Sequence, residues 1–311
     1  TNMKTIEEIN QHNVKKILTE KKISQKRKNE IFNFFKLQGV KIFTVPAIDQ
    51  WANSQGIVGN LKPIIIEDLL RRDTIDINLQ KNVMQYQDKT ILVTGAAGSI
   101  GSETVRQLLK FKPHKLILLD QAETPLFDLK NELLKKKHTT QFEFLLRSVS
   151  NLASVEQCFK AHTIDVVFHA AAYKHVFMTE TTPAAAILNN ILGTKNVVDV
   201  AIKNNTTRFV MVSTDKAVNP SNVMGASKRI AEMYLANQAK SSNTELITTR
   251  FGNVLGSNGS VVPIFKQQIA KGGPVTVTHP EITRFFMTIT EACQLVLEAG
   301  ATGTGGEIYV F

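Results

Sequence analysis

The sequence predicts an α/β fold built on a doubly wound parallel sheet, and three observations carry that prediction. A strand–turn–helix signature stands at residues 89–103, KTILVTGAAGSIGSE. From there to the end of the chain, short apolar runs alternate with helical patterns, the mark of a parallel sheet with helices on both faces. Polar clusters fall where the apolar runs stop, and open parallel sheets hold their ligands beyond the carboxyl ends of their strands.

The signature comes first. Residues 90–94 form an apolar run of strand length, Gly95, Gly98 and Gly101 follow at a spacing of three, and Val105, Leu108 and Leu109 lie on one face of a helix. Glycines permit a tight turn and close backbone approach, while a helix N-terminus offers N–H groups and a positive dipole end to a pyrophosphate. Three glycines alone also describe an ordinary Gly-rich turn. The surroundings favour a site: residues 115–119 read as a second strand ending at Asp120, 25 residues past Gly95. A carboxylate there can accept hydrogen bonds from an adenosine ribose and would repel a 2′-phosphate, which favours NAD over NADP. The expectation is therefore a Rossmann-type dinucleotide site.

The chain has 311 residues, enough for one large or two ordinary domains, with 43% hydrophobic and 21% charged residues as in soluble globular proteins. No run approaches the roughly 18 apolar residues of a membrane span, and the polar start TNMKTIEEINQHNVKK shows no signal peptide. Cys158 and Cys293 lack metal-ligand spacing, which suggests reduced thiols, a cytosolic setting and no metal. The formal charge of +10 lies partly in runs such as Lys26-Arg27-Lys28 and Lys135-Lys136-Lys137, beside Glu30 and Glu132. Such runs read as solvated helix faces, and no aromatic residues are interleaved with them as a base-stacking platform requires. Nucleic acid is not the expected partner; an anionic substrate or a membrane surface suits the charge.

Residues 1–88 read as a partial N-terminal α/β domain with a linker. Residues 26–38 have helical spacing (Ile31, Phe34, Phe35), 40–45 read as a strand closed by Pro46, and 61–66 form a second short apolar run. No glycine loop or catalytic cluster occurs there, so a packing or regulatory role is expected, with residues 73–88 as the linker. Residues 89–311 form the second domain. Its third strand is expected at 142–146, and its fourth at 165–169, running into Ala170-Ala171-Ala172-Tyr173-Lys174-His175. A helix follows over 183–200. The fifth strand, 208–212, ends in Ser213-Thr214-Asp215-Lys216, and a helix over 224–240 carries Lys228 in its first turns. The sixth strand, 245–249, ends at Arg250-Phe251-Gly252-Asn253, and rising Gly and Pro density over 256–274 predicts a small substrate-capping region of loops and short elements.

Thr214-Asp215-Lys216 is the sharpest chemical cluster. An adjacent acid and base can be a local ion pair only; at a strand end they can also supply general acid and general base across a substrate bond. Lys228 is either a solvated helix lysine or an ammonium that holds a nicotinamide ribose. Arg284 is either a surface arginine or a bidentate clamp on a diphosphate.

Residues 89–311 closely resemble the extended short-chain dehydrogenase/reductases of bacterial polysaccharide biosynthesis, and within them the membrane-anchored UDP-N-acetylglucosamine 4,6-dehydratases. The resemblance rests on VTGAAGSIGSE (93–103), HAAAYKHV (169–176), NNILGT (189–194), STDKAVNPSNVMGASKR (213–229), RFGNVLGSNGSVVPIFKQQI (250–269) and GGPVTVTHPEITRFFMT (272–288). It implies NAD as cofactor, a UDP-sugar as substrate and a homo-oligomer. It also implies a cytoplasmic protein at the inner face of the membrane, anchored through segments this chain lacks. The implied cycle oxidises C4, removes the C5 proton, expels water from C6 and returns the hydride to C6. In it Asp215 protonates the departing 6-hydroxyl, Lys216 is the base at C5 and Thr214 orients the sugar hydroxyls. Lys228 is the lysine of the Tyr-x-x-x-Lys pair, with Met224 at the tyrosine position, which leaves Asp215 for the C4 hydroxyl as well. Expected cofactor contacts are Gly95, Gly98, Ser99, Ile100, Gly101, Asp120, Ser148, Val149, Ala170, Ala171, Ala172, Asn190 and Lys228. Expected substrate contacts are Lys174, Asn253, Ser260 and Arg284. The sequence departs from the family at Arg147-Ser148-Val149, where a Gly-Asp pair is usual, and at Phe177, where proline is usual. The chain also stops inside an expected strand at 308–311. The competing readings are a nucleotide-sugar 4-epimerase and a non-catalytic NAD-sensing regulator.

Overall fold

Thr90–Thr94 forms β4, a strand buried on both faces, because every side chain from Ile91 to Val93 meets apolar neighbours above and below the sheet. The computed structural model describes residues 82–311 except 258 and 278 and the side chains of Val262 and Lys266. It also describes the backbone of three strands nearer the N-terminus. The chain divides into two compact units, Thr1–Thr74 and Ile75–Phe311.

In the first unit, β1 (Lys16–Glu20) pairs parallel with β2 (Lys41–Val45), and β3 (Lys62–Pro63) pairs antiparallel with β2. The strand expected at 40–45 is present, and only Lys62–Pro63 of the run at 61–66 is described as strand. β1 was not expected: KILTE has two apolar residues between charged ones and no alternation. The helix expected over 26–38 lies outside the described residues.

The linker expected over 73–88 needs correction. The second unit begins at Ile75, and α1 (Val83–Tyr86) belongs to its core. Tyr86 is fully buried, its hydroxyl donates to the Leu297 carbonyl at 2.5 Å, and its ring packs 5.4 Å from Phe111 and 5.7 Å from Phe168.

The remaining elements alternate as expected. They are α2 (Ser99–Leu108), β5 (Lys115–Asp120), α3 (Glu123–Leu134), β6 (Gln141–Leu146), α4 (Leu152–Ala161), β7 (Val166–His169), α5 (Val176–Thr181) and α6 (Pro183–Ala186). A π-helical stretch, Ile187–Leu192, then leads into α7 (Gly193–Lys203). β8 (Arg208–Thr214), α8 (Val223–Gln238), β9 (Glu245–Phe251), β10 (Asn253–Val254), α9 (Val261–Ala270), β11 (Phe286–Met287), α10 (Ile289–Thr302) and β12 (Ile308–Val310) complete the chain. Seven strands form one sheet in the order β12-β9-β8-β7-β4-β5-β6, and every pair is parallel. The order reverses between β4 and β7, which is the crevice where doubly wound sheets bind ligands. One apolar cluster, including Val105, Leu108, Leu126 and Val296, packs α2, α3 and α10 on one face. A second, including Val155, Val197, Ala231 and Leu235, packs α4, α7 and α8 on the other. No described helix is long and apolar enough to cross a membrane.

Candidate functional site

The turn after β4 is set by its glycines. Gly95 has φ +65°, a left-handed value that disfavours side chains, and a Cβ there would stand 2.6 Å from the Ala171 nitrogen. A Cβ on Gly101 would stand 2.1 Å from the Gly95 carbonyl oxygen, so this glycine lets α2 close down on the turn. Gly98 is the N-cap of α2, and no side chain caps that helix end. Asp120 closes the arrangement from the end of β5: Oδ2 accepts from the Ala97 N–H and Oδ1 from the Ala122 N–H, each at 2.9 Å. The carboxylate thus braces the glycine turn while lining the cavity beside it.

Two adjoining cavities share Gly95, Gly98, Ala170, Ala172 and Tyr173. The first, about 280 Å³, runs over Asp120, Ser148, Val149 and Ala171. The second, about 460 Å³, runs over Ser99, Ile100, Gly101, Lys174 and His175. Together they make a groove across the α2 N-terminus, and it brings together eleven of the thirteen expected cofactor residues on its wall, all but Asn190 and Lys228. Arg147, where a Gly-Asp pair was expected, is tied to the Ser154 carbonyl at 2.7 Å and also lines the first cavity. Tyr173 spans the groove: its hydroxyl accepts from Gln121 Nε2 at 3.0 Å, and Gln121 Oε1 accepts from Ser148 Oγ at 3.1 Å.

Asn190, expected at the cofactor, is placed differently. It is fully buried, its Oδ1 accepts from the Tyr173 N–H at 2.7 Å, and its Nδ2 donates to the Tyr173 carbonyl at 3.0 Å and to Ser227 Oγ at 2.9 Å. Its amide is spent on holding Tyr173 against α8, so Asn190 shapes the groove from beneath. Below the same floor lies His169, at the end of β7. Thr94 Oγ1 is 2.7 Å from Nδ1 and Thr194 Oγ1 is 2.9 Å from Nε2. Thr194 gives its proton to the Asn190 carbonyl, so it accepts from Nε2–H, and Nδ1 accepts from Thr94. Burial, with the nearby Lys228 charge, pushes the His169 pKa down to about 3 and keeps the ring neutral.

The second cluster lies at the ends of β8 and β9. β8 continues through Thr214, two residues further than expected, and a single 3₁₀ turn, Asp215–Ala217, follows. Asp215 Oδ1 accepts from Thr214 Oγ1 at 2.9 Å and from Lys216 Nζ at 3.0 Å, and Nζ lies 3.4 Å from Asn253 Oδ1. Burial works to raise the Asp215 pKa, but the hydrogen bonds from Lys216 and Thr214 and the Lys216 charge outweigh it and hold the carboxyl below its ordinary range. A Cβ on Gly252 would stand 3.7 Å from Asp215 Oδ2, and one on Gly225 only 2.4 Å from the Lys216 carbonyl oxygen. The start of α8 is therefore seated on the Lys216 backbone, with Asn222 Oδ1 capping the Gly225 N–H at 2.8 Å. Met224 and Lys228 are buried one turn apart on that helix. Burial lowers the Lys228 pKa to about 8 against the opposing charge of Glu232.

The region expected to be loops and short elements contains a helix and lies between two short strands. β10 and β11 pair in parallel, setting Asn253 against Phe286 and bringing the segment that carries Arg284 beside Gly252, where the Phe285 carbonyl oxygen is 3.3 Å from a Cβ position. Arg284 is exposed and donates to the Thr283 carbonyl at 2.7 Å. Gly259 rests on the His175 ring, with a Cβ position 2.5 Å from Cε1. The capping loop thus reaches from the ends of β8 and β9 to the groove. Ser260 N-caps α9, and its shielded Oγ has no hydrogen-bond partner. Lys174 lines the groove, with its pKa lowered by burial. Among the described residues, no group of three or more His, Cys, Asp or Glu is placed to hold a metal.

Sequence reasoning named Tyr173 with Lys174 and His175 as a polar cluster at a strand end, but missed Gln121, the paired hydrogen bonds of His169 and the carboxylate of Glu232, which receives Ser213 and Arg250. A histidine ending a wholly apolar strand, and a glutamate one turn after Lys228 on a buried helix face, were the available signals.

A glycine turn at the switch point of a parallel sheet, with Asp215 and Lys216 two strands away, is a Rossmann-type arrangement of the short-chain dehydrogenase/reductase kind. Residues 91–311 match the family described as polysaccharide biosynthesis protein, and the chain belongs to it. Capsular polysaccharide biosynthesis protein CapD of Staphylococcus aureus is 50% identical over 291 residues, 93% of this chain and 48% of that protein. The chain thus spans about half the length of that relative. UDP-glucose 4-epimerase of Rickettsia rickettsii is 38% identical over 232 residues, 72% of this chain and 66% of that one. Among solved structures, Pen from Bacillus thuringiensis is 36% identical with a TM-score of 0.69, covering 72% of this chain and 69% of that one. DesIV of Streptomyces venezuelae, a dTDP-glucose 4,6-dehydratase solved with NAD bound, shares the fold at 22% identity, TM-score 0.63, covering 71% of this chain and 76% of that one.

Proposed function

We propose that this chain is the catalytic part of an NAD-dependent UDP-N-acetylhexosamine 4,6-dehydratase, with UDP-N-acetylglucosamine as substrate. The observation that carries the reading is the Asp215–Lys216 pair at the end of β8, hydrogen-bonded at 3.0 Å and flanked by Thr214 and Asn253. The groove fits the cofactor: its glycine turn admits no Cβ at Gly95 or Gly101, and Asp120 lines the wall, where its carboxylate would accept from a ribose hydroxyl. Gly95, Gly98, Gly101 and Asp120 would hold NAD, which would supply an acceptor for the C4 hydride and a source for the hydride returned to C6.

The protein's own groups move the protons. The ion pair and its neutral form, an Asp215 carboxylic acid beside a Lys216 amine, differ by one proton along the 3.0 Å hydrogen bond. Substrate that excludes water from a half-exposed pair favours the neutral form, because separated charges lose their solvation. Lys216 amine then takes the C5 proton, Asp215 gives its proton to the departing 6-hydroxyl as water, and Lys216 returns a proton to C5 as the hydride reaches C6, after which a solvent proton restores the ion pair. Thr214, already donating to Asp215 Oδ1, holds the acid in place. Lys228 is buried on α8 one turn after Met224, and its ammonium would favour an oxyanion at C4. Met224 cannot accept a proton, so the Asp215 carboxylate takes that of the C4 hydroxyl before the elimination while the Lys216 proton passes to solvent, which leaves the same acid and amine. A 4-epimerase shares the first oxidation but needs no acid and base for elimination, which is why this pair favours the dehydratase.

The test is substrate deuterated at C4. Mass spectrometry should find the label at C6 of a 4-keto-6-deoxy product, with no crossover to unlabelled substrate in the same mixture. Label lost to solvent, or an epimerised sugar that keeps its 6-hydroxyl, overturns the assignment.

A further inference from the structure

Glu232 is almost wholly buried, yet it makes no contact with either cavity. Its Oε1 accepts from Ser213 Oγ at 2.6 Å and Arg250 Nε at 2.8 Å, and its Oε2 accepts from Arg250 Nη2 at 2.5 Å and Arg229 Nη1 at 3.4 Å. Ser213 is the residue before Thr214, and Arg250 stands two residues before Gly252. On α8, Glu232 follows Lys228 by four residues, so the two lie on one helix face. A buried ion pair is a poor way to gain stability, since desolvating both charges offsets most of their attraction. Four hydrogen bonds converging from two strand ends and the catalytic helix point instead to placement.

We propose that Glu232 is the positioning residue of the catalytic edge: one carboxylate sets the β8 end bearing Thr214, Asp215 and Lys216, sets the β9 end leading to Asn253, and supplies the countercharge to Lys228. This rests on the reading of those residues as the dehydratase machinery. Lys228 meets the charge of Glu232 on α8 and the neutral His169 from β7, and Glu232 is met in turn by Arg229 from α8 and Arg250 from β9.

The experiment compares Glu232→Gln and Ser213→Ala in the full chain. Lysine labelled with ¹³C at Cε reports the Lys228 titration by NMR without cofactor or substrate. Glu232→Gln should move that titration downward by half a pH unit or more, while Ser213→Ala leaves it in place. Ser213→Ala should lower kcat about tenfold with KM for NAD changed less than about threefold, as expected when an interaction that matters in the transition state is lost. A Lys228 titration unmoved in Glu232→Gln overturns the countercharge role, and kcat within twofold of the parent in Ser213→Ala overturns the positioning role. If Glu232→Gln does not fold, the kcat and KM split in Ser213→Ala decides. If the parent shows no dehydratase activity, the titration still decides, so the two readings fail separately.

Discussion

Asp215 Oδ1 collects both the Thr214 hydroxyl and the Lys216 ammonium, so removing Lys216 removes half of what holds that carboxylate. Lys216→Ala should lower formation of the 4-keto product about 100-fold or more, ~3 kcal/mol of barrier, while NAD and UDP bind within a few-fold of the parent. Turnover close to the parent's would remove Lys216 from the role of base. His169 predicts a pH effect on the fold. Its pKa, about 3 when folded against an ordinary 6.5, means that the unfolded chain takes up a proton the folded chain refuses. Stability is therefore intact above about pH 6.5 and falls as the pH drops towards 3, by about 1.4 kcal/mol per unit within that window. Urea unfolding at pH 7 and pH 5 should show a loss of about 2 kcal/mol that a His169→Gln variant does not share.

At the scale of elements, the join between β4 and α2 admits no slack. Gly101→Ala puts a methyl carbon 2.1 Å from the Gly95 carbonyl oxygen, so the helix must retreat from the turn. The variant should lose about 3 kcal/mol of stability and bind NADH at least about tenfold more weakly, readable by thermal unfolding and cofactor fluorescence. This join was legible in the sequence, because glycine spacing and apolar runs are local signals. So were six other parallel strands and the end positions of Asp120, Asp215 and Asn253. The π-helical stretch was not: residues 183–200 show unbroken helical periodicity, and only the buried pairing of Asn190 with Tyr173 and Ser227 accounts for the wider turn. The extension of β8 through Thr214 was hidden for a similar reason, since polar Ser213 and Thr214 stay in the strand through partners on α8 and β9. β10 and β11, two residues each, pair across more than thirty positions and leave no periodic trace.

At the scale of the whole unit, the segment before β4 is an anchor. Tyr86 fills the space between Phe111, Phe168 and α10, and Asn82 Nδ2 donates to Glu298 Oε2 at 2.7 Å, so α1 is bound to the last long helix. Tyr86→Ala should cost about 4 kcal/mol, seen as a lower urea midpoint at an unchanged slope. A loss below about 1 kcal/mol would return this segment to the role of a tether.

The sheet order also has a meaning in time. Strands β4 to β7 are contiguous in sequence and make the half that floors the groove, whereas β8, β9 and β12 stack outward from β7 in the order of synthesis. A chain that folds from its N-terminus as it leaves the ribosome completes the glycine turn first. It then carries Val166, Val167 and Phe168 on an open edge until residues 208–214 arrive. That interval is when an emerging chain is most exposed to pairing with a neighbour, and slowing translation between β7 and β8 lengthens it.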